Sequence, residues 1–246
     1  MSRLVLTLAL VVLFSVLAFA ASADSGTYGT WSASAVSGAP TASYLGQTGL
    51  LITPTALVAP SLEGSIFYNK IESDPRRQAF YGVVLGLPEG LEASAVRLIN
   101  VEPPASDPSD YRSVTCVNAK YQIPLDRLVA ASSLWPKVAL GVFDATDQVA
   151  RVWYITLSRS FTITENPHSP LNLHLGYGNK NRGSGRLDGV FGGADFAVTA
   201  DTLLQAEYDG NSLNAGVRYY PAKWACLDLG VVAGDLAWGG TINDEF

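Results

Sequence analysis

Apolar and polar residues alternate along most of this chain, in short blocks separated by turn residues. Apolar side chains at every second position mark a strand with one dry face and one wet face. Such blocks lie near 64–72, 78–87, 90–99, 111–121, 137–144, 149–160, 171–178, 187–198, 202–209, 212–220, 225–233 and 236–242. The punctuation between them is hairpin-like: Leu87-Pro88-Glu89-Gly90, Thr199-Ala200-Asp201, Asp209-Gly210 and Tyr220-Pro221-Ala222-Lys223. About a dozen short strands at regular spacing predict a barrel or a sandwich. Helical periodicity is missing, apart from a turn or two within 125–134. Residues 122–136 form a long connection that suits a small plug or helix.

Alternation does not say which face meets water. A soluble barrel turns its apolar face inward, whereas a membrane barrel turns it out to lipid. The polar faces decide between them. Asn172, His174, Gly176 and Gly178 oppose Leu171, Leu173, Leu175 and Tyr177. Gln205, Glu207 and Asp209 oppose Leu204, Ala206 and Tyr208. Asn214, Gly216 and Arg218 oppose Leu213, Ala215, Val217 and Tyr219, and Cys226, Asp228 and Gly230 oppose Leu227, Leu229 and Val231. Single charges of both signs among many glycines fit a confined lumen better than a solvated exterior, which would carry more Lys, Glu, Ser and Thr. Trp135, Trp153, Tyr219, Tyr220, Trp224 and Trp238 sit near block ends, as aromatic girdles at a membrane boundary do. A spanning strand needs about 9–11 residues, and twelve of these with turns fit between 64 and 246. The expected fold is an all-β, antiparallel up-and-down transmembrane barrel of about twelve strands.

Arg3, an apolar run over 4–21 and the small residues Ala21-Ser22-Ala23 describe a cleavable export signal, 1–23. Asp24 follows, so the cysteine of a lipoprotein anchor is lacking. Residues 24–45, rich in Ser, Ala and Gly, read as a flexible arm, and 46–246 as the barrel domain. The expected location is the bacterial outer membrane, with the lipid bilayer as the principal partner. The charge balance after removal of Arg3 is 15 basic against 22 acidic residues, a net -7. No basic stripe is present, which argues against nucleic acid.

Composition also limits the chemistry. The only histidines are His168, in a Pro-flanked turn, and His174, on a polar strand face. No His-x-Ser pair accompanies them, so no nucleophilic triad is visible and an enzyme is not expected. Asp144 and Asp147 are the carboxylates nearest to a rim site, and a solvated loop explains them better. No ligand cluster implies a metal, and no cofactor is expected. Cys116 and Cys226 both fall on polar faces and are taken as unpaired. The candidate lumen residues are Asp195, Glu207, Asp209, Arg218, Asp228 and His174. They form either a charge ladder that guides a polar solute or ion pairs that close a narrow barrel. Tyr68, Phe191 and Tyr220 can stack on sugar rings if they face inward.

The stretch Gly46-Gln47-Thr48-Gly49-Leu50-Leu51-Ile52-Thr53-Pro54-Thr55-Ala56-Leu57-Val58-Ala59-Pro60 resembles the opening of YjbH-like proteins, with a Gly-x-x-Gly-Leu run leading into the first strand. Glu207-Tyr208-Asp209-Gly210, Asn214-Ala215-Gly216-Val217-Arg218-Tyr219 and Leu227-Asp228-Leu229-Gly230 are similar to the same family. The resemblance implies an outer-membrane barrel associated with exopolysaccharide production, and it implies no catalytic residues. Passage or support of an exported polysaccharide, or of another polar solute, is the expected role, with envelope export proteins as unidentified partners. A non-transporting scaffold barrel and a soluble carbohydrate-binding sandwich are the alternatives.

Overall fold

The computed structural model describes residues 41–73, 77–101, 112–125, 135–162, 170–183 and 185–245. The export signal, most of the arm, His168, most of the 122–136 connection and Phe246 lie outside the described residues.

Twelve antiparallel strands close on themselves. They are β1 (Glu63–Ile71), β2 (Gln78–Leu87), β3 (Leu91–Val101), β4 (Arg112–Ile123), β5 (Lys137–Phe143), β6 (Val152–Thr162), β7 (Pro170–Lys180), β8 (Gly189–Thr199), β9 (Thr202–Tyr208), β10 (Leu213–Ala222), β11 (Ala225–Val232) and β12 (Asp235–Glu245). Each strand pairs with its sequence neighbours, and β12 returns to β1 from Glu63↔Glu245 to Ile71↔Ala237. This is the expected up-and-down barrel. Closure leaves no unpaired edge, and unpaired edges are not tolerated in hydrocarbon.

Each alternating block becomes one strand because the pleat sends successive side chains to opposite faces. Ile66, Tyr68, Val117, Leu140, Ile155, Leu204, Val217, Leu227, Leu229 and Ile242 lie exposed on the outside. Asn118, Lys120, Ser158, His174, Asp195, Glu207, Arg218 and Asp228 lie buried inside. A contiguous apolar exterior around a polar interior is the arrangement of a lipid-embedded barrel. Trp153 and Trp238 stand exposed near one end of the strands, and Trp135 and Trp224 near the other, as two girdles. Tyr220 departs from the girdle expectation, because it points inward and is only 4% exposed. Tyr68 points outward, against the ring of Trp238, and so is removed from the inward sugar-stacking set.

The interior differs from a wet tube. On β1 to β4 the inward positions include Phe67, Phe80, Val84, Val96, Leu98, Val114 and Cys116, which form one buried apolar cluster. The reason is that the barrel is filled by its own chain. Residues 41–56 are all buried inside it, among them Tyr44, Leu50, Leu51 and Ile52. Thus 41–45, the last residues of the stretch read as an arm, lie in the lumen. The described segment inside the barrel comes before β1.

Placing a charge on the outer face tests the orientation. Leu229→Arg, at an outward position, is expected to destabilise the barrel in a bilayer by about 2–4 kcal/mol, read from urea titrations in liposomes. A change near zero would mean that this face does not touch lipid.

Candidate functional site

The internal segment, 41–59, is a set of tight turns rather than a strand or helix. Ala42 bridges to Thr48, and Gly49 to Pro54. Tyr44 N–H donates to Leu51 O at 2.7 Å, Leu50 N–H to Thr53 O at 3.0 Å, and Thr55 N–H to Thr48 O at 3.2 Å. Gly46 takes φ +75°, and a Cβ there would sit 2.9 Å from the Cβ of Val96, so both its conformation and its closeness to the wall require glycine. A coiled segment leaves many backbone groups without ladder partners. In a closed interior those groups need partners from elsewhere.

The wall supplies them with charged side chains. On β3 and β4, Glu92 and Lys120 form a fully buried pair at 3.2 Å. Thr48 fits between them: its N–H and hydroxyl donate to the Glu92 carboxylate, and its carbonyl accepts from Lys120 Nζ at 2.8 Å. Ala59 N–H donates to the same carboxylate at 2.9 Å. On β9, Glu207 accepts from Ile52 N–H at 2.8 Å, Thr53 N–H at 3.0 Å and the Thr53 hydroxyl at 2.8 Å. On β10, Arg218 donates from Nη1 to Gly49 O at 3.1 Å and from Nη2 to Leu50 O at 3.3 Å, while Nε holds Asp228 at 2.8 Å. Asn118 donates to Leu45 O at 2.9 Å, and Gln47 reaches back to Ala119 O and Val142 O.

A hydrogen-bonded chain runs across β6, β7 and β8. Ala56 N–H donates to Ser158 Oγ at 2.8 Å, Ser158 Oγ lies 2.8 Å from His174 Nδ1, and His174 Nε2 lies 2.8 Å from Asp195 Oδ2. In a neutral imidazole, a proton on Nε2 would face Asp195 and leave Nδ1 to accept from the serine hydroxyl. Asn172 Nδ2 donates to the other Asp195 oxygen at 2.6 Å. This Ser-His-Asp order was not visible in the sequence, where Ser158 and His174 are far apart. The strand register Ser158↔His174 brings them together. The Ser158 oxygen faces an amide of the internal segment, and that contact gives it an anchoring role.

The structure therefore brings His174, Asp195, Glu207, Arg218 and Asp228 together in the lumen, and pairs them with each other and with the internal segment. Asp209 differs in part. It lies just beyond β9 and organises the turn, accepting from Asn211 N–H and Ser212 N–H, with Arg186 at 3.3 Å from its other oxygen. The site reading missed Glu92, Lys120 and Asn118, whose strand also alternates. The glycines of the polar face line recesses rather than water: a Cβ on Gly193 would meet Leu50 Cδ1 at 2.7 Å, and one on Gly216 would meet Leu51 Cδ1 at 3.1 Å. Phe191 points inward, packed edge-on to Tyr154, and Tyr220 meets the Thr41 hydroxyl at 2.9 Å. Cys116 and Cys226 are separate free thiols, both buried.

At the rim, Asp144 is buried rather than solvated. Its carboxylate accepts from the N–H groups of Gln148, Val149 and Ala150, which fixes the β5–β6 loop. Asp147 accepts from Asn181 at 2.8 Å and pairs with Arg182 at 2.9 Å. The Asn181 hydrogen bond, with help from Arg151 N–H and the Arg182 charge, holds the Asp147 carboxyl below the ordinary aspartate range.

No family model matches the chain, and no curated protein matches it. Among solved structures it is similar to the KdgM porin, with 14% identity, a TM-score of 0.46 and coverage of 74% of this chain and 99% of that one. A KdgM porin in complex with disordered oligogalacturonate gives 15% identity, a TM-score of 0.45 and coverage of 74% of this chain and 99% of that one. A mutant of Rh. blastica porin gives 12% identity, a TM-score of 0.33 and coverage of 74% and 98%.

Two outcomes follow from the geometry. Lys120→Met strands the Glu92 carboxylate, and the expected loss is about 3–5 kcal/mol; the double variant with Glu92→Gln should recover part of it in denaturant titrations. No recovery would mean that the pair is not coupled. For Asp147, a lowered folded pKa means that its contribution is fully present above the ordinary aspartate value and is lost as pH falls through the lowered one. The Asp147–Asn181 contact should hold at about pH 5 and fail only in stronger acid, as followed by the Asn181 side-chain amide signal in NMR.

Proposed function

We propose that this chain is an outer-membrane barrel that passes a polar solute when its internal segment, 41–59, is displaced. The observation that carries this reading is the pairing of wall charges with the backbone of that segment. Glu92, Lys120, Glu207 and Arg218 all bond to it. Withdrawal of the segment would uncover a wall of Asn, Ser, His and carboxylate groups, which is the lining a polar solute needs. The interior as it stands is the closed state of that path. Export of the chain by residues 1–23 is part of this reading. The resemblance of 46–60 to YjbH-like proteins makes a polysaccharide the first solute class to try.

A scaffold barrel is the second reading, and the completeness of the same bonding favours it. A segment held by four charged groups can serve as a permanent core. Planar bilayer recording separates the two readings. The wild-type barrel should be mostly closed, and Glu207→Ala with Arg218→Ala, which removes five of its bonds to 41–59, should raise the open fraction and conductance. Silence from a double variant that still folds, judged by heat-modifiable gel migration, would leave the scaffold.

A further inference from the structure

The internal segment is held unevenly. Its hydrogen bonds to the wall fall on β3, β4, β5, β6, β9 and β10. Among the described residues, none of those made by 42–59 reaches β11, β12 or β1. The wall on that flank is nonetheless polar. Ser65 and Asn69 on β1, Thr241 and Asn243 on β12, and Asp228 on β11 all point inward and are buried.

These five residues concentrate buried polar atoms without partners, which also occur at Tyr154 on β6 and Gln205 on β9. The Ser65 and Thr241 hydroxyls, both carboxamide atoms of Asn69 and of Asn243, and Oδ2 of Asp228 have no hydrogen-bond partner on the protein. They are also contiguous. Ser65 stands beside Asn243, Asn69 beside Gly239, Gly239 beside Asp228, and Thr241 beside Cys226. The Asn69 carboxamide lies against Gly239, where a Cβ would come within 1.8 Å of Asn69 Oδ1. Glycine at 239, between Asn69 and Asp228 in the strand register, leaves the room that the Asn69 carboxamide occupies.

Buried polar groups without partners favour any state in which water or a polar solute reaches them. The bonded flank loses its bonds when the segment moves away, whereas among the described residues this flank has none with 42–59 to lose. We infer that the path opens between the segment and the β11–β12–β1 seam, with the Glu92–Lys120 contact on β3 and β4 acting as the hinge. The solute then runs along Ser65, Asn69, Thr241, Asn243 and Asp228. This inference rests on the gated reading above and says which wall the solute meets. Alternating hydroxyl, carboxamide and carboxylate groups suit a hydroxyl-rich, uncharged or cationic solute.

The two native cysteines report on the two walls. Cys226 lies on the seam beside Thr241, and Cys116 lies on β4. The experiment applies a water-soluble methanethiosulfonate cation to the full chain in planar bilayers and in liposomes, with the Glu207→Ala/Arg218→Ala variant held open. Cys226, and Thr241→Cys in a second variant, should react an order of magnitude faster than Cys116 and lower the current. Thr241→Val with Asn243→Leu, which fill the strip without polar atoms, should reduce the open fraction. Equal reaction at Cys116 and Cys226, or a current untouched by reaction at Thr241→Cys, would overturn the seam path while leaving the gate in place. Absence of current in every variant would instead remove the gate, and the seam path with it.

Discussion

Charges sealed inside a closed barrel need partners, and here the partners are backbone amides and carbonyls of the same chain. That requirement joins the two unusual features of the molecule. A segment without regular secondary structure cannot lie dry unless something satisfies its main chain. Buried carboxylates, a lysine and an arginine cannot lie dry unless something satisfies them. Each solves the problem of the other, most plainly at Thr48, where hydroxyl, amide and carbonyl all meet the Glu92–Lys120 pair.

The same requirement explains why the interior has two characters. Where backbone of the segment faces the wall, the wall is charged or amidic, as at Glu207 and Asn118. Where its apolar side chains face the wall, the wall is apolar or hollowed by glycine. Tyr44 packs on Phe80 with ring centroids 5.9 Å apart, and Leu50 and Leu51 reach Gly193 and Gly216. The polar residues of the β1–β12 seam fit neither pattern, being buried without protein partners, as is Gln205 on β9.

The strands were legible because a lipid-facing pleat imposes a period of two on each block. Leu171 to Gly178 and Leu213 to Arg218 show it plainly, and both faces came out as their residue types indicated. The inward charges were legible for the same reason. Their partners were not, since the internal segment has no period: each residue meets a different wall at a different height. One signal was available. From Ser25 to Leu62 the chain has no charged residue, which is unusual for a solvated arm and natural for a segment that borrows its charges from the wall around it. The link between Ser158, His174 and Asp195 was hidden as well, because it depends on the register of three strands rather than on spacing along the chain.

The segment runs into β1 through only Pro60, Ser61 and Leu62. It is thus a tethered ligand, one per barrel, whose effective concentration at its own binding wall is about millimolar even when it is released. Re-seating is unimolecular and independent of protein abundance. Any free molecule that competes for the same wall must match that local concentration before it can keep the interior clear.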